Sequence, residues 1–409
     1  MRPRTVSIAA VLLLAGVSTR SMALQPSPEP PPPATPPKAN ITSDTLLAHI
    51  RALPTKRAPG PDRAHADGLL ATQQHLITTL TAMGYTPTTQ IVRYRGGLAR
   101  RDETFKPEWV NIIVEIPGRG RGAANTNEPP KADDPIARQV LLVTAHFDAV
   151  PNSPGADDDG SGVATVLEMA RVLRDRPMQR TVRFVLFNLE EVGLVGSRQY
   201  AALKQPEWTA PPEKTTAERL VGMMTLEMLG YFSTQPGSQQ SPFRGMQGLP
   251  DRDTGDFVAL AGSSLHRTFI RALEKAMQQA EPTLELMVID HFPNAALPIM
   301  PPDLLRSDHQ PFITLGLPGV MVTDTANFRN PHYHKPTDTV DTLHPELFQR
   351  TARALTGAVH TLAGPLDGPA LAPLIDLPTR AVMPETPEGA KTGTGGATPA
   401  EQPSTPGGK

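Results

Sequence analysis

The chain has 409 residues, a formal charge of −2 from 39 basic and 41 acidic side chains, and no cysteine. This composition excludes a disulfide framework, a thiol nucleophile, an iron–sulfur cluster and a thiolate zinc site. With no long basic run it also excludes an electrostatic footprint for nucleic acid, and any metal must be held by histidine and carboxylate.

From the start, Met1-Arg2-Pro3-Arg4-Thr5 is followed by a short apolar run, Val6 to Val17, and then by Ser21-Met22-Ala23. A charged start, an apolar stretch too short to span a bilayer and a small-x-small exit describe a secretory signal peptide over residues 1–23, with an uncleaved anchor as the competing reading. Val17 after Leu14-Ala15-Gly16 leaves no cysteine to acylate, which excludes a lipoprotein. The mature protein is expected to be periplasmic or extracellular, without stable membrane insertion. Prolines crowd the ends, eight between Pro26 and Pro37 and nine between Pro365 and Pro406. Residues 24–40 read as a stiff spacer, 41–364 as one folded domain, and 365–409 as a disordered tail.

Within the body, Ser43 and Asp44 open a short helix through Leu46, Leu47, Ile50 and Leu53, which Pro54 stops. A second helix places Leu69, Leu76, Leu80 and Met83 on one face, and Gly84 supplies a left-handed cap. Val110–Ile116 and Gln139–Ala145 read as strands, and residues 118–135 between them as an exposed insertion. Alternation then becomes regular: helix Gly162–Leu173, strand Thr181–Leu189, helix Leu194–Leu203, strand Leu220–Leu226, helix His266–Gln279, strand Gly319–Thr323, helix Glu346–Leu362. Near-continuous apolar strands between amphipathic helices predict an α/β fold: one three-layer α/β/α domain around a mixed, largely parallel sheet. Ligands gather at the carboxyl ends of such strands.

The chemistry-bearing residues follow those ends. His146-Phe147-Asp148 closes one strand, and Gly155-Ala156-Asp157-Asp158-Asp159-Gly160-Ser161-Gly162 precedes a helix. Glu190-Glu191 follows the next strand, Glu227 the one after, and His332 and His334 share a proline-rich loop with Asp338 beyond. Each admits a plain structural reading: a satisfied histidine, an acidic turn capping a helix, a solvated acid pair, an edge-strand charge, a surface histidine pair. Three adjacent aspartates repel at a distance that salt does not screen, and a cation would relieve them. Convergence of so many His, Asp and Glu residues on one sheet edge favours a metal centre, and the donor set suits zinc before manganese or cobalt.

The order His-x-Asp, Gly-Ala-Asp-Asp-Asp-Gly-Ser-Gly, Glu-Glu-x-Gly-Leu-x-Gly-Ser, Leu-Glu-Met-x-Gly-Tyr, Arg-Ser-Asp-His and Tyr-His-x-Pro-x-Asp-Thr resembles the dizinc exopeptidases of the bacterial leucyl aminopeptidase and aminopeptidase Y type, from about Val110 to Leu362. The resemblance implies the phosphorylase/hydrolase-like zinc exopeptidase fold, two zinc ions and peptide substrates with a free N-terminus. It makes His146 a ligand of one zinc, Asp148 its orienting partner and Asp158 the bridge. Glu190 becomes the general base acting on a metal-activated water, and Glu191 and His334 become ligands of the other zinc. Glu227 stands where the best-known members have aspartate, which leaves the first zinc's geometry open. Asp308 and His309 match a pocket element, and His332 has no counterpart. The competing activities on this fold are glutaminyl cyclase, with one zinc, and an acidic-dipeptide carboxypeptidase, for which Arg306 or Arg329 would supply the basic pocket. A receptor that has lost its ligands is the non-enzymatic alternative. The side chain preferred at the cleaved residue depends on loops such as Tyr231 to Gly262.

Overall fold

In the computed structural model, which describes residues 40–121, 134–211, 217–241, 251–292, 302–366, 368–369 and 371–375, one mixed sheet organises the chain. The expected leader, the spacer up to residue 39, positions 122–133 of the expected insertion and positions 376–409 of the expected tail lie outside the described residues, whereas the start of that tail is packed on the body, with Leu374 buried in the core and Ala372 O accepting from Arg180 Nη2 at 2.8 Å. The elements are α1 (Ser43–Arg51), α2 (Arg63–Ala82), β1 (Thr88–Val92), β2 (Trp109–Ile116), β3 (Gln139–His146), α3 (Gly160–Leu173), β4 (Thr181–Phe187) and α4 (Val195–Trp208). They continue with β5 (Arg219–Glu227), β6 (Phe257–Ser263), α5 (Arg267–Ala280), β7 (Glu285–Phe292), α6 (Gln310–Thr314), β8 (Val320–Thr323) and α7 (Pro345–Ala363).

The strand order is β1-β2-β4-β3-β5-β8-β6-β7. Strands β4, β3, β5 and β8 are mutually parallel, β6 and β7 run together against β8, and β2 runs against both neighbours. The apolar runs are continuous because both faces are covered. On β3, Leu141, Val143 and Ala145 join the core beneath α1, α2, α3, α5 and α7, whereas Val140 and Leu142 join Tyr200, Trp208 and Phe312 from α4 and α6. The opposite placement of α3 and α4 follows from the crossovers. The chain leaves β3 for β4 on one side and then returns across β3 to β5, so two right-handed connections in opposite senses put their helices on opposite faces. The end of β3 is therefore a topological switch point, where a crevice opens.

Local signals hold where expected. Thr42 caps α1 by accepting from Thr45 N–H at 3.1 Å, and Gly84 follows α2 with φ of +86°. Strand β4, expected to reach Leu189, stops at Phe187 because Leu189 takes φ of +63° and turns the chain out of the sheet. Strands β1, β6 and β7 were not anticipated. Strand β6 lies inside the segment Tyr231–Gly262, and its small residues Ala259, Ala261 and Gly262 give a weak strand signal. No helix among the described residues is long and apolar enough to cross a membrane.

A buried carboxylate on α3 ties α1 to that helix. Glu168, 1% exposed, accepts from Arg171 Nε at 2.8 Å and Thr45 Oγ1 at 2.9 Å and meets His49 Nε2 at 3.2 Å. Burial alone would raise its pKa, but these partners outweigh burial and hold it at about 2 against an ordinary 4.5. A depressed carboxylate stabilises the fold above its unfolded pKa and ceases to as pH falls through the folded value. Glu168→Gln is therefore expected to cost about 2 kcal/mol at pH 7. Denaturation at stepped pH should show that difference shrinking between pH 4.5 and 2.

Candidate metal centre

His146 is the last residue of β3 and Glu227 the last of β5, so two parallel neighbours deliver them to the same edge. Asp158 comes from the loop between β3 and α3, Glu190 and Glu191 from the turn after β4, and His334 from the loop after β8. Asp158 lies between the two histidines. Its Oδ1 is 3.2 Å from His146 Nε2 and its Oδ2 is 3.1 Å from His334 Nε2. Glu227 Oε2 stands 3.7 Å from His146 Nε2, and Glu191 Oε2 stands 3.2 Å from His334 Nε2. Two donor groups result, His146–Asp158–Glu227 and Asp158–Glu191–His334, and they share one carboxylate.

These groups suit a small divalent ion. Donors about 2.0–2.2 Å from a tetrahedral zinc stand ~3.3–3.6 Å from one another; the four histidine–carboxylate separations run from 3.1 to 3.7 Å, and all donor atoms of each group lie within 4.8 Å of one another. The charge balance agrees. Burial, with Glu191, Glu227 and Asp308 close by, pushes Glu190 well above the usual carboxylate range despite His146. Burial and the Asp158 charge likewise lift Glu191 to about 7. Burial works against protonated His334, yet its bonds to Asp158 and Glu191 raise it to about 10. A divalent cation binding there therefore competes with protons on Glu191 and His334.

The three adjacent aspartates divide their work. All are buried, and only the middle one belongs to the donor groups. Asp157 accepts from Gly230 N–H at 2.8 Å and Asn330 Nδ2 at 2.7 Å. Asp159 accepts from the N–H groups of His146, Gly162 and Met228, each at 3.1 Å, and so ties β3, α3 and β5 together. The repulsion expected of the triplet is thus met at its flanks by backbone amides, and a cation is needed only at Asp158.

Asp148 lies beside both His146 and the turn that carries Glu190 and Glu191. The nearest Asp148 atom to His146 Nδ1 is the backbone carbonyl at 3.2 Å, and the carboxylate stands at 3.5 Å. That carboxylate accepts from the N–H groups of Glu190 at 3.0 Å and Glu191 at 3.1 Å, which fixes the turn carrying both acids. Backbone strain collects at the same places: Leu189, Met228 and His334 have φ of 63°, 53° and 59°. Left-handed conformations cost such residues energy and persist where surrounding contacts impose them.

Several supporting residues carried no assigned role in the sequence. Ser307 Oγ donates to Glu227 Oε2 at 2.6 Å and steadies the longer acid. Asp338 accepts from the N–H groups of Asp157 at 2.9 Å and Asp158 at 3.2 Å, linking the histidine loop to the aspartate loop. Tyr333 stacks on the His334 ring with centroids 3.8 Å apart, and its hydroxyl accepts from Arg306 Nη2 at 2.9 Å. Buried Arg57 donates to Phe147 O at 3.0 Å and also to the carbonyls of Pro154 and Gly155. The strings Arg-Ser-Asp-His and Tyr-His-x-Pro-x-Asp contain the first three; nothing in the sequence marks Arg57. His332 belongs to neither donor group and bonds Thr337 Oγ1 at 2.9 Å. Asp308 is fully buried, and burial lifts it to about 7. His309 is buried too, and one ring nitrogen bonds Leu304 O at 2.8 Å. Arg329 is buried against Gln239 and the Phe257 carbonyl, whereas Arg306 is half-exposed and paired with Asp303.

Beside Glu227 lies a cavity lined by residues of the sheet. Its floor is Phe257, Ala259 and Ala261 of β6, Met287 and Ile289 of β7 and Met321 of β8. Arg252 also lines it, with its charge met by Asp256 at 3.1 Å and Glu285 at 3.2 Å.

A model of peptidase family M28 matches residues 127–359. The chain is 32% identical over 240 residues to the uncharacterized protein YfbL of Escherichia coli (strain K12), a match covering 56% of this chain and 67% of that protein. It is 31% identical over 247 residues to the probable lipoprotein aminopeptidase LpqL of Mycobacterium tuberculosis, covering 54% of this chain and 41% of LpqL, so the match spans under half of that relative. Among solved structures, the LapA aminopeptidase of Legionella pneumophila aligns with a TM-score of 0.54 at 19% identity, over 81% of this chain and 74% of LapA. Fimbriiglobus ruber glutaminyl cyclase aligns at 0.50 and 17% identity, over 78% and 95%. At such identities both likenesses establish the fold alone. With more than half of its length matched by the family model, the chain belongs to peptidase family M28.

Proposed function

We propose that this chain is a secreted or periplasmic zinc aminopeptidase that hydrolyses the N-terminal peptide bond of substrates with a free amine. One observation carries the reading: two donor groups share Asp158, and Glu190, buried among them, belongs to neither. His146, Asp158 and Glu227 would hold one zinc, and Asp158, Glu191 and His334 the other. Bound zinc supplies Lewis acidity, polarising a carbonyl and making water acidic enough to react at neutral pH. Glu190 takes the proton of the attacking water and delivers it to the leaving amine, a task that requires a carboxylate free of the metals. Asp148 keeps Glu190 and Glu191 in register through their amides. The cavity beside Glu227 receives the side chain of the residue removed. Its apolar floor and neutralised Arg252 favour a large aliphatic or aromatic residue.

The paired donor groups favour a two-zinc hydrolase over the single-zinc cyclase, a choice the shared fold does not make. Export rests on the apolar run Val6 to Val17 behind a basic start.

On aminoacyl-arylamides the purified protein should cleave leucyl and phenylalanyl substrates, spare N-acetylated ones and stop on chelation. No free-amine cleavage, or cleavage indifferent to chelator, would count against the reading. Glu190→Gln should retain bound zinc and lose about 10²–10⁴-fold in kcat; near-native turnover would remove Glu190 as the base. Asp158→Asn should lose zinc from both groups, and full metal content by elemental analysis would refute its bridging role.

A further inference from the structure

A second recess adjoins the Asp158–Glu191–His334 group, and Glu191 is one of its lining residues. Its walls are mainly Pro59, Pro61, Tyr94, Val150, Pro151 and Val192. The walls are held in place: Leu98 N–H donates to Pro59 O at 2.8 Å, and Arg101 Nη2 donates to Pro61 O at 2.6 Å. Val150 N–H donates to Glu191 Oε1 at 3.2 Å, while Glu191 Oε2 faces His334. The recess is thus one hydrogen bond from a candidate ligand. Its rim reaches solvent, since Pro61 and Arg101 are exposed and Val192 is 37% exposed.

The two recesses differ in a way that an exopeptidase needs. The cavity beside Glu227 is the more enclosed of the two and is lined by residues of β6, β7 and β8, so it suits the side chain of a terminal residue. The recess beyond Glu191 is open along the surface, so the rest of a peptide can leave through it. An exposed valine directly after Glu190 and Glu191, sharing the recess with two prolines and a tyrosine, offers apolar contact where the residue after the cut bond must lie.

We propose that this groove is the subsite for the first residue on the leaving side of the scissile bond, and that it takes an apolar side chain. The proposal rests on the aminopeptidase reading above and adds a second determinant of specificity to it. The test is kcat/KM for leucinamide, Leu-Phe-NH₂ and Leu-Gly-NH₂ with the full chain and with Tyr94→Ala and Val192→Asn. Leucinamide releases ammonia and leaves the groove empty, so it reports the chemistry without the subsite. The unsubstituted protein should prefer Leu-Phe-NH₂ over Leu-Gly-NH₂ by about tenfold, the value of burying much of one aromatic side chain. Either substitution should reduce that ratio to about threefold or less. Because Val192 is exposed, its variant serves even if loss of Tyr94 unfolds the chain. Hydrolysis of leucinamide with equal rates on the two dipeptide amides would overturn the subsite, as would a ratio unchanged in both variants. No turnover of any of the three would overturn the aminopeptidase reading itself.

Discussion

Everything at the sheet edge depends on the carboxylate of Asp158, which gives one oxygen to each of two histidines that lie far apart in the chain. His146 and His334 approach it at 3.2 and 3.1 Å. Burial would push Asp158 toward its neutral form, but the two histidines outweigh burial and hold it well below the ordinary carboxylate range. A carboxylate with both oxygens committed in opposite directions serves two cations where either histidine alone serves one. Glu227 and Glu191 then complete the groups from opposite sides.

A buried anion in that position requires a rigid loop, and the rigidity comes from neighbours that hold backbone rather than metal. Asp157, Asp159 and Asp338 each accept from amides of the loop or of the strands beside it, and Arg57 binds carbonyls on the loop's far side. Arg57 itself pays for complete burial with a lowered pKa, partly offset by Asp338 and Asp158. Strained backbone at Leu189, Met228 and His334 fits the same pattern: local conformational cost accepted where ligands must be aimed.

The parallel strands were legible because burial on both faces makes them uninterrupted apolar runs; His146 and Glu227 were legible because they end such runs, whereas Asp158, Glu191 and His334, on loops and turns, were legible through the motifs shared with the exopeptidases. What the sequence hid has particular causes. A leucine carries no mark of positive φ, so β4 was extended through Leu189, and the acids beyond it lie on a turn rather than a strand. Three identical aspartates look equivalent in sequence, yet only the fold shows which amides Asp157 and Asp159 meet. The spacing of Asp148 two residues from His146 points to a contact with that ring, but nothing in it marks the second contact, from the same carboxylate to the amides of the Glu190–Glu191 turn. Strand β6, which lines the cavity beside Glu227, is hidden in the sequence because small residues such as Ala259 and Ala261 leave room for a ligand and little propensity for a strand.

The central claim is that one shared carboxylate builds a two-ion site. Zinc titration of the chelator-stripped full chain, followed by elemental analysis after removal of free metal, tests it directly. The account predicts two zinc ions per chain, bound with release of protons from the buried acids and histidines. Saturation at one ion, or none retained, would contradict it.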